Sequence, residues 1–363
     1  MLPLWIAEPY LPLAPVVVET LQKRAADGWY GYEVRPPEVT AAFWGWMARR
    51  HGWDRGELET SPSPSVGTSI ATLIDFFSEP GDGVILQPPV FSEFKPLIRR
   101  SKREPVRNSL VLEEGRYAMD LDDLTTKASD PSNKLMILCN PHNPVGRVWE
   151  RTELEAVATI CADNNVFLIS DEVHIDLALS PNKTTPLATI LNASKPRWAA
   201  IHSPIKTFGL AGIADTYLIT DDVDLAGRFR TRSARFGLTR NNVFSLAATK
   251  AAYDDGDDWV DQLLDQTAKN VEILDEDLPN EVHLIRPEAT YLAWLDFTRL
   301  GMDVPELSAW LGEEAGLALS PGHWFGREGA GFARMTIAAE RAVVAEAGRR
   351  IKAAVRAGAP TTE

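Results

Sequence analysis

The chain has 363 residues, of which 45% are hydrophobic and 24% are charged, so it can bury a large core and has the composition of a globular protein. Its 37 basic and 51 acidic residues give a formal net charge of -14. This balance disfavours nucleic acids and anionic membranes as partners, because both require basic surfaces. The length alone predicts one large domain and a smaller one.

The chain contains two cysteines, Cys139 and Cys161, which are too few for a disulfide framework and do not have the spacing of a zinc site. Both lie in apolar segments, so we expect buried free thiols and no bound metal. The N-terminal segment has no basic region of the signal-peptide type, and no apolar run reaches the length of a membrane span. These features predict a cytoplasmic protein.

The first 35 residues are rich in proline and aromatic side chains and predict an extended arm with a short helix over 16–26. An apolar arm of this kind is expected to pack against the body of the chain or against a partner subunit. Pro36 and Pro37 then begin a helix that runs to about His51, since proline is tolerated in the first helical turn.

A segment rich in serine, glycine and threonine over 61–69 is predicted as a loop that leads into an amphipathic helix ending before Pro80. The first turn of such a helix offers unpaired backbone amides and the positive end of a dipole, which suit a phosphate, although an ordinary capped helix has the same pattern. A strand over 84–87 follows, with Phe91 shortly after it. The Phe91 ring is suited either to stacking on a flat ligand or to the core.

Alternating strands and helices characterise the middle of the chain. Strands are predicted over 106–110, 134–139, 166–170, 198–202 and 216–220, with a helix over 151–164. This alternation indicates a parallel or mixed sheet with helices on both faces.

The pattern changes after about residue 222, where longer helices are followed by strands over 282–285, 291–297 and 332–337 and by helices over 305–314 and 340–356. We therefore predict an α/β fold with a mostly parallel mixed sheet between helices in a large domain and with a smaller α+β domain. The predicted divisions are an N-terminal arm at 1–35, which packs with the small domain and a dimer partner, the large domain at 36–240 and the small domain at 241–363.

Two polar residues follow buried strands in a pattern that suggests chemistry. Lys206 lies in a loop that is predicted to follow the strand at 198–202, where desolvation can lower the pKa of its amine and free it as a nucleophile. Asp171 ends the strand that begins at Val166, at the edge where open α/β sheets bind ligands. A lone lysine is usually a solvated surface group. A lysine that bonds covalently and an aspartate for a pyridinium nitrogen are, however, the two groups that pyridoxal phosphate requires.

Further motifs lie in a fixed order around this pair. They are Ser65-Val66-Gly67, Pro89-Val90-Phe91, Asn140 to Arg147, Ser170 to His174, Ser203 to Phe208, Leu4 to Glu8, Gly31-Tyr32, Thr290 to Phe297, Phe325-Gly326 and Phe332 to Arg334. Together they resemble the class I/II aminotransferase superfamily, the fold type I pyridoxal phosphate enzymes. Within it the chain looks most like the MalY/PatB group of carbon-sulfur β-lyases, and the resemblance spans nearly the whole chain.

The resemblance implies roles at the matched positions. Lys206 holds the cofactor covalently and serves as the general base, and Asp171 pairs with the pyridine nitrogen. Asn143 binds the phenolic oxygen with His174 near it, while Phe91 stacks on the ring. Phe91 lacks the hydroxyl of the tyrosine that many relatives have at this position.

The remaining matched positions concern the phosphate and the substrate. Ser203 and the backbone amides of Val66 and Gly67 correspond to the phosphate site. Tyr32 corresponds to a tyrosine that reaches the phosphate of the neighbouring subunit, which implies a homodimer with shared active sites. Arg334 corresponds to the arginine that binds the substrate carboxylate bidentately, and Ala7 is predicted beside the substrate.

Single residues of this set have simpler explanations, because His174 alone is typical of a structural histidine and Arg334 alone of a surface ion pair. Two positions also depart from the family pattern, where Ile205 replaces a frequent serine or threonine and Gly209 a frequent asparagine. Both departures concern the phosphate contact and the substrate geometry.

The function implied by the resemblance is cleavage of cystathionine or another cysteine S-conjugate, a small-molecule amino acid, to a thiol, pyruvate and ammonia. An aminotransferase would use the same residues and is the main alternative. A specialised biosynthetic enzyme with the same cofactor, acting on an amino acid or thiol conjugate, and a regulatory or binding protein that has kept the fold are further alternatives. The segments at 9–11 and 322–324, which are expected to shape the distal pocket, carry no motif that predicts the group on the sulfur.

Overall fold

A mixed sheet of seven strands forms the centre of the computed structural model, which describes residues 1–192, 195–213, 215–239 and 242–358. The strands in chain order are β1 Leu2–Pro3, β2 Glu59–Ser63, β3 Gly83–Leu86, β4 Glu104–Arg107, β5 Val111–Glu113, β6 Arg116–Ala118, β7 Asn133–Cys139, β8 Phe167–Asp171, β9 Trp198–His202, β10 Thr216–Thr220, β11 His283–Ile285, β12 Leu292–Asp296, β13 Leu317–Ala318, β14 Ser320–Pro321 and β15 Phe332–Thr336.

Helices cover both faces of this sheet and surround the smaller one. They are α1 Pro15–Ala26, α2 Pro37–His51, α3 Val66–Phe77, α4 Phe94–Arg100, α5 Leu121–Ala128, α6 Arg151–Asp163, α7 Pro204–Thr207, α8 Val223–Arg235, α9 Val243–Asp255, α10 Asp257–Asp277, α11 Val304–Glu313 and α12 Arg341–Ala357. Within the described part of the chain, no helix is both long and apolar enough to cross a membrane.

The large sheet has the strand order β2-β10-β9-β8-β7-β3-β4. Strands β9, β8, β7, β3 and β4 are parallel, and β10 is antiparallel to both of its neighbours. Every residue of β8 and β9 is buried, which explains why these strands are almost continuously apolar rather than alternating. The predicted α/β fold with a mostly parallel mixed sheet is confirmed.

A second sheet contains the antiparallel strands β11-β12-β15-β14 and packs with α10, α11 and α12 around its own apolar cluster, which includes Leu295, Trp310 and Ile351. The N-terminal arm joins this part of the molecule, because β1 pairs with β13 in parallel. Further along, α1 and α2 pack against α9. The predicted domain division stays a prediction, and its boundary at 240 and 241 lies outside the described residues.

The structure differs from the sequence-based expectation at several elements. Residues 59–63 form an edge strand rather than part of a loop, because they pair with β10 and bury Ser61 and Ser63, which their polar composition does not indicate. The segment of Lys206 is a helical turn, α7, rather than a loop. The helices α4 and α5 and the hairpin β5-β6 were not predicted, since they are short.

Candidate active site

The carboxyl ends of three parallel strands meet at one edge of the large sheet. Cys139 at the end of β7 is in register with Asp171 at the end of β8, and Asp171 is in register with Ile201 of β9. A cavity of about 420 Å³ lies at this edge. Of the predicted site residues, those that line it are Val66, Gly67, Phe91, Asn143, Asp171, His174 and Lys206.

The N-terminus of α3 forms one end of the cavity. Ser65 is the N-cap residue, and its hydroxyl oxygen accepts a hydrogen bond from the Thr68 backbone N–H at 3.1 Å. Val66 and Gly67 occupy the first two helical positions, whose N–H groups have no acceptor within a helix. Apart from the adjacent residues and the backbone of α3, no atom comes closer than 4.0 Å to the position that a Cβ would take on Gly67. This end of the cavity suits an anion.

Lys206 enters the cavity from α7, the short helix capped by Ser203. Its Nζ donates a hydrogen bond to the carbonyl oxygen of Ala7 at 2.8 Å, which brings the N-terminal arm to the site. Burial and the charge of Arg334 lower the pKa of the Lys206 amine, and the charges of Asp171 and Glu8 oppose this effect. The arrangement favours a neutral, nucleophilic amine.

Asp171 is buried, and its Oδ1 accepts a hydrogen bond from the Val173 backbone N–H at 3.2 Å. Burial raises the pKa of its carboxyl to about 7, although this hydrogen bond and the charge of Lys206 act in the opposite direction. Within the described residues, this carboxyl forms no ion pair. It is therefore suited to a positively charged ring nitrogen, which would restore its ionised form.

Asn143 connects the cavity to the buried guanidinium of Arg334. Arg334 Nη1 donates to Asn143 Oδ1 at 3.0 Å, and Nη2 donates to the Trp5 carbonyl at 3.0 Å and to Ser320 Oγ at 3.2 Å. Its Nε is buried without a hydrogen-bond partner in the described structure. Burial lowers the pKa of Arg334 to about 10, so the group is still a cation at neutral pH and can bind a carboxylate.

The turn that carries Asn143 is fixed by two local features. Gly146 has φ +73°, and a Cβ at this position would lie 2.7 Å from Pro287 Cβ, so both conformation and space favour glycine. The buried Arg147 donates to Glu153 at 2.6 Å and to Glu288 at 3.0 Å. These contacts join the turn to the segment before β12.

His174 is buried, and its Nδ1 has no hydrogen-bond partner among the described residues. Burial and the charges of Lys206 and Arg334 lower its pKa well below the usual value, so the imidazole is neutral. Phe91 lines the same cavity and packs edge-on against Phe94 with the ring centroids 5.3 Å apart.

Four predicted residues lie outside the cavity lining, namely Arg334, which was described above, and Ser203, Ala7 and Tyr32. The Ser203 hydroxyl donates to the Asp215 carbonyl and accepts from the Ile205 N–H at 3.4 Å, so its hydrogen bonds serve the capping of α7. Ala7 contributes its carbonyl to Lys206, as described above. Tyr32 is 92% exposed and is not among the residues that line this cavity. Its predicted role in a neighbouring subunit stays a prediction.

Sequence reasoning assigned no role to several residues around the site. The Tyr291 hydroxyl oxygen lies 3.1 Å from the Lys206 carbonyl oxygen and 3.3 Å from that of Ala7, so its single proton is shared between the two and joins α7 to the arm. Ser65, Cys139 and Arg100 line the cavity without an assigned role. The N-cap position of Ser65 is the one local signal that could have indicated its place.

A second buried carboxylate fixes the turn that carries Lys206. Asp176 Oδ2 accepts from Thr207 Oγ1 at 2.6 Å, and Oδ1 accepts from Trp46 Nε1 at 2.8 Å and from His51 Nε2 at 2.7 Å. Burial alone would raise the pKa of Asp176. The three hydrogen bonds and the charge of His51 outweigh the effect of burial and lower the pKa. Because Thr207 follows Lys206, this carboxylate holds α7 in place.

Comparisons with known proteins identify the family of the chain. Residues 6–351 match the family described as aminotransferase class I and II. The chain is 36% identical to the cystathionine beta-lyase PatB of Bacillus subtilis (strain 168), over 98% of this chain and 92% of that protein.

Solved structures give the same result. The fold is similar to that of cystalysin from Treponema denticola, which contains a pyridoxal 5'-phosphate cofactor, with a TM-score of 0.93, 28% identity and coverage of 98% of this chain and 91% of that one. It is also similar to the pyridoxal phosphate-bound C-S lyase from Staphylococcus hominis, with a TM-score of 0.89, 27% identity and coverage of 97% and 90%.

Proposed function

Because the chain belongs to the class I and II aminotransferase family, we propose that it is a pyridoxal phosphate-dependent carbon-sulfur β-lyase that releases a thiol, pyruvate and ammonia from cysteine S-conjugates. The observation that carries the lyase class is the similarity to a cystathionine beta-lyase over almost the entire chain. The predicted family, cofactor and enzyme class are confirmed by these comparisons.

The residues of the cavity fit the cofactor. The α3 amides suit its phosphate, the buried Asp171 suits its ring nitrogen, and the unpartnered His174 Nδ1 and the amide of Asn143 offer partners for polar ring substituents. Phe91 offers an aromatic face to the ring. When bound, pyridoxal phosphate supplies an aldehyde that captures the substrate amine and a ring that accepts the electron pair released at Cα.

The chain's own groups then perform the remaining tasks. Arg334 binds the substrate α-carboxylate and so orients the Cα–H bond. A contact through two parallel N–H donors includes Nη2, which then exchanges Trp5 or Ser320 for the carboxylate. The neutral amine of Lys206, favoured by its lowered pKa, removes the Cα proton. Asp171 in its ionised form keeps the ring nitrogen protonated. Departure of the thiolate from Cβ, followed by hydrolysis, gives pyruvate and ammonia.

We further propose a homodimer in which Tyr32 serves the neighbouring site. The exposed aromatic segment supports this proposal, since Trp29 is 76% exposed, Tyr32 92% and Val34 88%. A cytoplasmic location is proposed as well, supported by two cysteines that are both free thiols.

The test is release of pyruvate and free thiol from L-cystathionine and from S-propyl-L-cysteine with pyridoxal phosphate and no keto acid, and with Lys206→Ala as the control. Sustained release that depends on Lys206 is expected. Conversion of the bound cofactor to its amine form without thiol release would instead indicate an aminotransferase.

A further inference from the structure

The acid that follows Asp171 has no role in the proposed reaction. Glu172 is fully buried, and so is His202 at the end of β9. The His202 ring packs against Phe43 and Trp53, with ring centroids 5.7 Å and 5.4 Å apart. Neither Glu172 nor His202 is among the residues that line the cavity, so the pair lies behind the site. A buried carboxylate is unfavourable unless its oxygens have partners, and those partners show what Glu172 holds together.

One oxygen of Glu172 accepts three hydrogen bonds. The donors to Oε1 are Ser170 Oγ at 2.8 Å, the Leu187 backbone N–H at 2.8 Å and Asn140 Nδ2 at 3.2 Å. Asn140 follows β7 and begins the turn that carries Asn143. This oxygen therefore joins the end of β8 to the turn after β7 and to the segment at 187.

The other oxygen of Glu172 lies at the end of β9. Its Oε2 stands 3.0 Å from His202 Nε2, although the two atoms lack the alignment of a hydrogen bond. The Glu172 backbone N–H also donates to the Ile201 carbonyl at 2.9 Å. His202 immediately precedes Ser203, the N-cap residue of the helix α7 that carries Lys206. Glu172 thus contacts the strand that leads directly to the lysine.

The strands alone do not fix the functional groups relative to one another. The ladder of parallel strands ends where Cys139, Asp171 and Ile201 are in register. Asn143 and Lys206 lie beyond that point, on segments that leave the sheet. Contacts beyond the strand ends must therefore fix their positions, and a displacement of about 1 Å costs about 100-fold in rate.

We propose that Glu172 is a positioning residue, whose carboxylate oxygens hold the Asn143 turn and the Lys206 helix in place around Asp171. It acts through Asn140, Ser170 and His202 and touches neither substrate nor cofactor. The kinetic test of this inference rests on the proposed lyase function, whereas its binding test does not.

Two variants separate the hydrogen-bond acceptors of Glu172 from its charge. Glu172→Ala removes both oxygens. Glu172→Gln keeps one oxygen as an acceptor and can present its NH₂ group to His202. The measurements are kcat and KM for pyruvate release from L-cystathionine and, separately, equilibrium dialysis of pyridoxal phosphate against each cofactor-free protein.

Glu172→Ala should lower kcat by about 100-fold and the affinity for pyridoxal phosphate by about tenfold. KM should change by less than about threefold, because Arg334 lies on β15, which Glu172 does not contact. Glu172→Gln should restore kcat and cofactor affinity to within about threefold of wild type, since it retains the joining contacts.

A matched control removes another buried charged residue with several hydrogen bonds. Arg103 donates to Ser78 Oγ at 3.0 Å and to Asp75 at 3.2 Å, and it precedes β4 at the edge of the sheet opposite the cavity. Arg103→Ala should lower the free energy of unfolding as Glu172→Ala does, yet keep the kcat and cofactor affinity of wild type. All variants are assayed under conditions in which urea unfolding shows them to be folded.

Three outcomes overturn the proposal: wild-type kcat and cofactor affinity in Glu172→Ala, an equal loss in Arg103→Ala, or a loss in Glu172→Gln as large as that in Glu172→Ala. If Glu172→Ala does not fold, Asn140→Ala removes a single donor and should lower kcat by about tenfold, and an unchanged kcat would overturn the proposal. Absence of pyruvate from wild type would refute the lyase function instead, and the dialysis would then still test Glu172.

Discussion

Replacement of Asp171 by asparagine should make the cofactor-free protein more stable at pH 8 while it abolishes activity. The folded protein raises the pKa of this carboxyl from 3.8 to about 7, first of all by burial. Between pH 3.8 and about pH 7 the native state keeps a proton that the unfolded chain releases. The stability that the Asp171 carboxyl contributes is therefore present at low pH and is lost as the pH rises from 3.8 through about 7.

The size of the effect follows from the pKa difference. Since one pH unit corresponds to about 1.4 kcal/mol, the full loss is about 4 kcal/mol, of which about 3 kcal/mol develops between pH 5 and pH 8. The asparagine side chain of the variant cannot ionise, yet its amide oxygen can still accept the hydrogen bond that Asp171 receives from Val173. The new NH₂ group costs some stability, but equally at both pH values.

The assay is urea unfolding of the cofactor-free wild type and of Asp171→Asn at pH 5 and pH 8, with the protein concentration held constant because a dimer would make stability depend on it. The wild type should lose about 3 kcal/mol more than the variant between the two pH values. The same pH dependence in both proteins would refute the assignment of a raised pKa to Asp171.

Three further predictions concern other groups of the site. Arg334→Lys should raise KM for the amino acid more than it lowers kcat, since lysine cannot replace two parallel guanidinium donors. Steady-state kinetics of pyruvate release measure both constants, and an unchanged KM would contradict this role. Asp176→Ala should reduce the free energy of unfolding by about 3 to 5 kcal/mol, because three buried donors lose their acceptor, and a loss below about 1 kcal/mol in urea unfolding would contradict this. Mixing Tyr32→Phe subunits with Lys206→Ala subunits should give hybrid dimers whose activity depends on which site retains both groups, whereas activity that is indifferent to mixing would count against shared sites.

Local sequence signals predicted much of the cavity. Val66 and Gly67 open a helix after an N-cap serine, and Asp171 and Lys206 follow apolar strands, so each was recognisable from its neighbours. Strands at the centre of a parallel sheet are buried on both faces, which makes them uniformly apolar and easy to place. The order of several motifs then identified the family.

Contacts between distant segments were decided only by the tertiary structure. Lys206 and Ala7 are 199 residues apart, and Arg334 and Asn143 are 191 residues apart, so no local pattern indicates that they pair. Residues 59–63 became a strand because β10 offered its edge, although their composition favours a loop. The sequence determined which groups lie at the strand ends, because that depends on local burial. The tertiary structure decided how the arm, Tyr291 and Asp176 surround Lys206, because those positions depend on how distant elements pack.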